Sequence, residues 1–189
     1  MQKLNLFYKL IFFFFISQFI FSQKQFKPQK FKNPKIILDG KISSDEWINA
    51  IQVELNFEIN PGNNTPAQKK TIGFITYSDT NLYVAIHAFD NPENVRASVR
   101  SRDDFNMYMQ DDIVNVSFDT YADGRNNYIL VANPFGSQFD VRAINALTDE
   151  QRYDGSFNMD FETAGSIVAD GFQVEFKIPF SSLPFPNGK

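Results

Sequence analysis

The chain has 189 residues, with 18 Lys and Arg against 22 Asp and Glu, a net charge of −4, and no Cys. An acidic balance excludes a nucleic-acid binder, because phosphate binding needs a basic face. The lack of Cys excludes a disulfide framework, a lipidated cysteine and Cys-attached haem, so the fold must hold by its core alone.

Lys3 and Lys9 precede Leu10 to Phe21, a stretch of 12 residues that is apolar except for Ser17 and Gln18. A membrane-spanning helix needs about 20 apolar residues. A charged start followed by a short apolar run ending at Ser22 is the pattern of a secretory signal peptide over residues 1–22. Lys24, Lys27, Lys30, Lys32 and Lys35 follow at once. Positive charge prefers the cytoplasmic side, the one feature that favours an uncleaved anchor. Removing 22 of the 189 residues leaves 167, enough for one domain with a sizeable core. That step takes two Lys and no acid, leaving 16 basic and 22 acidic residues, a net of −6.

Residues 23–35 are rich in Lys and Gln, carry Pro28 and Pro34, and read as a flexible leader. The domain is expected over residues 36–189. It opens with a short helix from Ser44 to Ile51, with Ser43 or Ser44 as N-cap and Asp45 and Glu46 in the first turn. Every later run is short, β-branched or aromatic, and separated from the next by Gly, Pro, Asn or Asp, which is the spacing of an all-β sandwich or barrel. A strand is predicted over Val53 to Ile59. A hairpin follows, Thr71 to Tyr77 and Leu82 to Phe89, around Ser78-Asp79-Thr80-Asn81. Ile113 to Asp119 is another strand. Tyr128 to Val131 and Gln138 to Ile144 pair through Asn133-Pro134-Phe135-Gly136, where Pro presets a turn and Gly supplies a permissive backbone. Glu162 to Val168 and Phe172 to Ile178 meet at Ala169-Asp170-Gly171. Pro179 to Lys189 then leaves the last strand without a capping helix, as expected of the front of a longer product.

Asp39-Gly40, Glu46-Trp47, the Lys70 to Phe89 hairpin, Asp111-Asp112, Asn133-Pro134-Phe135-Gly136, Asp170-Gly171-Phe172 and Ile178-Pro179-Phe180-Ser181-Ser182-Leu183 stand in fixed order. In that order and spacing they resemble the family 9 carbohydrate-binding modules, in the version that heads long exported bacterial proteins with a large β-rich region downstream. The resemblance covers roughly Ile36 to Lys189. It implies an all-β fold, an antiparallel β-sandwich of two sheets, and non-catalytic binding of an oligo- or polysaccharide in a carbohydrate-degrading or glycan-handling protein. It also implies a downstream β-rich region of the same protein as partner, and a place in the periplasm, at the outer membrane or on the cell surface. The alternative is a structural or interaction domain that packs on that region without sugar affinity.

The best-known family members clamp a terminal sugar between two Trp rings. This chain has one Trp, Trp47, beside Ile48 and Ile51, where a core anchor is the expected role. Relatives often carry Trp around the positions of Phe157, Phe161 and Phe172, which are expected in the core here. The densest mixture of charge and aromatic side chains is Arg100, Arg102, Asp103, Asp104, Tyr108, Asp111 and Asp112. Arg and Asp beside a Tyr suit hydrogen bonding to vicinal hydroxyls with a ring to stack on, so Arg100, Arg102, Asp104, Tyr108, Asp111 and Asp112 are the candidate sugar contacts. A solvated loop whose charges pair with each other is the plainer expectation.

Asp119-Thr120-Tyr121-Ala122-Asp123-Gly124 invites comparison with a calcium loop, but Tyr121 and Leu130 stand where an EF-hand needs an oxygen donor and a bidentate Glu. A looser calcium site on Asp111, Asp112 or Asp123 stays open beside a plain β-turn, and no cofactor is required. Glycoside hydrolysis would need two carboxylates across a cleft. Asp112 and Glu175 are available, Glu175 on an alternating strand where a charge would face solvent. Any such activity is expected downstream. DOMON-like sandwiches of similar outline hold haem, for which His87, Met107 and Met109 are the available ligands.

Overall fold

The computed structural model describes residues 26–32, 34–148 and 151–185. The expected signal segment, residues 1–22, lies outside these, as do residues 186–189. Among the described residues, no helix is long and apolar enough to cross a membrane.

In chain order the strands are β1 (Ile51–Glu54), β2 (Phe57–Glu58), β3 (Thr65–Pro66), β4 (Thr71–Tyr77), β5 (Asn81–Phe89), β6 (Val114–Phe118), β7 (Asn126–Ala132), β8 (Gln138–Ile144), β9 (Tyr153–Asp154), β10 (Glu162–Val168) and β11 (Gly171–Pro179). One α-helix, α1 (Phe105–Gln110), precedes β6. The strands form a five-stranded sheet in the order β1-β4-β5-β11-β10 and a four-stranded sheet in the order β6-β7-β8-β9, with β2 and β3 as a separate ribbon. Every strand pair is antiparallel.

The turns form where their residues dictate. Ser78 Oγ accepts from the backbone of Thr80 and Asn81 and closes the β4–β5 hairpin. Asn133 Oδ1 accepts from Phe135 N and Ser137 N, while Gly136 takes φ +75°. Inward positions of both sheets make one core: Val84 and Ile86 of β5, Val174, Phe176 and Ile178 of β11, and Val114, Leu130 and Ala132 of the opposing sheet. Each large apolar side chain fully buried here contributes about 1.5–3 kcal/mol. This is the expected β-sandwich, and Phe161 and Phe172 lie in its core with Phe157 packed against it.

The helix expected at Ser44 to Ile51 is absent. Residues 44–50 form turns, held by Trp47 N to Ser43 O (3.2 Å) and Ala50 N to Trp47 O (2.9 Å), and Ile51 already belongs to β1. Tertiary burial overrides local preference: this segment must lie flat on the five-stranded sheet to seat Trp47, which is 3% exposed. Among the described residues the short α-helix is α1 instead, with the Asp104 carboxylate accepting from Asn106 N as its N-cap. The strand expected over Val53 to Ile59 divides into β1 and β2.

Residues 36–50 thus form a strap over the outer face of the five-stranded sheet, where Trp47, Tyr83 and Ala85 make a second small core with Ile36, Ile42, Ala50 and Phe74. Glu175, expected to face solvent, does point to the outer side of β11, but the strap covers it completely (0% exposed). Its Oε2 accepts from Asp39 N (3.1 Å) and Gly40 N (2.9 Å), and its Oε1 from the Trp47 indole (3.0 Å). Burial pushes this carboxyl up to about 6, against the hydrogen bonds from Gly40, Trp47 and Asp39. The edge strand β10 is pinched from both sides at Gly165. A Cβ there would sit 2.7 Å from Pro134 O and 2.9 Å from Gly136 N, and one on Gly40 would sit 2.6 Å from the Gly165 carbonyl carbon. Within the leader, Phe31 N donates to Tyr77 O (2.7 Å) along the end of β4.

Candidate functional site

The charged segment read from the sequence folds over one end of the four-stranded sheet as α1 and its flanks. Arg100 meets Asp111 in a two-pronged pair, Nε to Oδ2 and Nη2 to Oδ1, both 2.8 Å. Asp111 Oδ2 also accepts from Asn133 Nδ2 (2.8 Å) and Ser98 N (3.3 Å). The Arg100 hydrogen bond, helped by Asn133 and Ser98, holds the Asp111 carboxyl down to about 2 despite its burial. Asp104 caps α1 and lies 3.4 Å from Arg100 Nη1. Asp112 accepts from Arg96 N (2.9 Å) and Arg96 Nη2 (3.2 Å). Arg102 reaches into the sandwich end, donating to Asp140, to Met159 O (2.7 Å) and to Gln138 Oε1 (2.9 Å). The Asp140 carboxyl is raised by burial, with Arg102 opposing. Of the six candidate sugar contacts, Arg100, Arg102, Asp104, Asp111 and Asp112 are therefore engaged in a network that ties the segment down. Tyr108 is the one whose side chain stands largely in solvent (51% exposed).

Strand β8 explains what Tyr108 stands beside. Its polar residues Gln138, Asp140 and Arg142 lie opposite Ala132, Leu130 and Tyr128 and face the other sheet. Gln138 Nε2 donates across to Phe161 O and Thr163 Oγ1, both 3.1 Å. The apolar residues of β8, Phe139, Val141 and Ala143, therefore point to the outer face. Cross-strand register places three rows there: Asn115-Val131-Phe139, Ser117-Ile129-Val141 and Asn127-Ala143-Tyr153. Val131, Val141 and Ala143 are a buried apolar floor, while Asn115, Ser117 and Tyr153 are exposed. The rings of Phe105 and Tyr108 lie 6.4 Å apart within 10° of parallel, and Tyr108 lies 6.4 Å from Phe139 at 50°. Phe105 is 62% exposed. An aromatic run thus leads from α1 onto the first row. Rings beside amides and hydroxyls, with charge paired off, suit apolar stacking plus hydrogen bonding to a neutral polyol.

Among the described residues, no three His, Asp or Glu side chains converge as metal ligands. Asp123 belongs to the β6–β7 loop, where Asp119 accepts from Gly124 N (2.8 Å) and Asp123 from Arg125 N (2.9 Å) as in a plain turn. Asp111 and Asp112 stand at the end of α1. His87 is on the five-stranded sheet, 3.1 Å from Asp170 and stacked on Phe89, whereas Met107 and Met109 are on α1. The haem ligands considered are thus placed on different elements. Glu175 lies under the strap and Asp112 beside Arg96, with no cleft described between them.

Two opposed antiparallel sheets, one of them edged by aromatic rings on its outer face, define a β-sandwich. More particularly, the chain has the fold of the family 9 carbohydrate-binding modules. A family 9 module of Caldicellulosiruptor kristjanssonii in complex with cellotriose superposes with TM-score 0.50 at 21% identity, over 86% of this chain and 72% of that one. Its glucose complex gives 0.50 at 20% identity, over 86% and 73%. A Bacteroides uniformis protein described as carbohydrate-binding gives 0.58 at 13% identity, over 82% and 72%. At these identities the likeness is one of fold. In sequence the chain is 28% identical over 153 residues to endo-1,4-beta-xylanase A of Thermoanaerobacterium saccharolyticum, which is 80% of this chain and 11% of that enzyme. The chain therefore spans about a tenth of the length of that relative. No family model matches the sequence.

Proposed function

We propose that the domain is a non-catalytic carbohydrate-binding module of an exported, glycan-handling protein, acting in the periplasm or at the outer membrane. The observation that carries this is the aromatic run Phe105-Tyr108-Phe139 beside Asn115 and Ser117, on a fold whose solved counterparts hold cellotriose and glucose. Likeness to a stretch that makes up about a tenth of a xylanase supports the same substrate class. Calorimetry of the purified protein over a broad panel of soluble oligosaccharides, with and without calcium, tests it. Binding of at least one glycan is expected, and none across the panel would sink the proposal.

A separate observation favours an interaction surface. Leu55, Phe57 and Ile59 are exposed along β2 and its flanks, and Leu55 and Phe57 line a shallow groove with Gln68 and Lys69. An exposed apolar patch of this kind suits packing on another protein surface, such as a β-rich region of the same protein.

A further inference from the structure

We infer that the outer face of the four-stranded sheet binds an internal stretch of an extended, uncharged polysaccharide side-on, rather than gripping a terminal sugar between two rings. This rests on the carbohydrate-binding reading above and specifies its ligand.

The single Trp of the chain is unavailable for a clamp, since Trp47 is buried under the strap and its indole is committed to Glu175. Among the described residues the one near-parallel pair of exposed rings, Phe105 and Tyr108, is spaced 6.4 Å between centroids. A sugar ring held between two faces needs carbon contacts of about 3.5–4 Å on each side, a gap of roughly 7 Å or more. The observed spacing is too small for that, so each ring can offer only its outward surface. The rings also continue in series: Tyr108 meets Phe139, and Phe139 heads the row that ends in Asn115. Further rows add Ser117 and Tyr153 behind the buried Val131 and Val141 floor. Rows on one strand face repeat about every 7 Å, and strands about every 4.8 Å, so three rows across four strands span more than one sugar unit in either direction.

The cations beside the aromatic run are taken up by pairing. Arg100, Asp104 and Asp111 satisfy one another, Arg96 is on Asp112, and Arg102 is on Asp140. The side chains facing outward on the first two rows and the aromatic run are amides, hydroxyls, rings and aliphatic groups, whereas at the third row the Arg152 guanidinium lies 5.9 Å from the Tyr153 ring with its Nη2 on Asn145 Oδ1. Along the first two rows a uronate or sulfated chain would find no free countercharge, and its anions there would be desolvated without compensation.

The test uses the purified protein with cello- and xylo-oligosaccharides from one to six units, each native and with its reducing end converted to the alditol, and with polygalacturonate as the charged comparison. Affinity is expected to rise at least about ten-fold from the disaccharide to the hexasaccharide and to change less than about two-fold on end reduction. Tyr108→Ala should lower hexasaccharide affinity roughly ten-fold while leaving the circular dichroism spectrum and Tm unchanged. Glucose binding as tightly as the hexasaccharide, loss of binding on end reduction, or preference for polygalacturonate would overturn side-on neutral binding while leaving carbohydrate binding intact. Failure to bind any of these and any glycan of the wider panel would overturn both.

Discussion

Glu175→Gln isolates the electrostatic cost of fastening the strap. The carboxylate is fully covered and accepts three N–H donors, yet burial outweighs them, and its folded value of about 6 lies above the ordinary 4.5. That difference corresponds to about 2 kcal/mol. The sign follows from proton linkage: the folded state holds this proton more tightly than the unfolded state does. The contribution is therefore fully present below about pH 4.5 and is lost as the pH rises through about 6. Gln cannot titrate, so the stability of the wild type minus that of Glu175→Gln should fall by about 2 kcal/mol between roughly pH 4 and pH 7.5. The absolute offset carries a further cost, because the Gln amide turns an N–H toward at least one of the Asp39, Gly40 and Trp47 donors. Urea unfolding at four or five pH values gives the difference directly. Parallel profiles for the two proteins would refute the link between burial and the raised pKa.

Two further expectations concern stability. Asp111→Ala removes the two-pronged acceptor of the part-buried Arg100 guanidinium and one acceptor of the Asn133 amide, leaving Arg100 with Asp104 and Gln110 and Asn133 with Ser98 O. It should cost about 3 kcal/mol by urea unfolding, with faster amide exchange over residues 96–112. In the wild type, this pair's contribution is present above about pH 4 and lost as the pH falls toward 2, because the folded carboxyl is held low. Gly165→Ala drives a Cβ against the Pro134 carbonyl and should lower stability by about 1–3 kcal/mol, read as a drop in Tm; an unchanged Tm would show that β10 can move away from the 133–136 turn.

The hairpins were legible because their turns carry their own chemistry: Ser78, Asn133-Pro134-Phe135-Gly136 and Asp170-Gly171 each close a ladder in the register the flanking residues suggest. The helix was not legible. Six residues from Phe105 to Gln110 are too few to display a helical period, and the Asp104 cap is hidden among other acids. Nor could alternation along β11 say what lies over its outer side. It assigned Glu175 to the outer face correctly, but only contacts with residues 39–47, over 120 positions away, show that this face is covered.

The same limit governs the site. Composition marked Arg100 to Asp112 as the place where chemistry concentrates, and the fold does bring that segment to a sheet edge. Yet charges that look free in a linear sequence found partners at Asn133, Met159 and Asp140, far along the chain. One signal did point to the outer face. Tyr128 to Ala132 is apolar at every position, which an antiparallel strand with one solvated side would not be. Beside it, β8 alternates Gln138, Asp140 and Arg142 with Phe139, Val141 and Ala143. If both faces of β7 are shielded, the polar set of β8 need not be the outer one. The inward polar set then bonds the segment linking the sheets, and the apolar set becomes the floor beneath Tyr108. The charged network thus positions the aromatic run, and the rings and amides it leaves uncovered are the groups on which the proposed glycan binding rests.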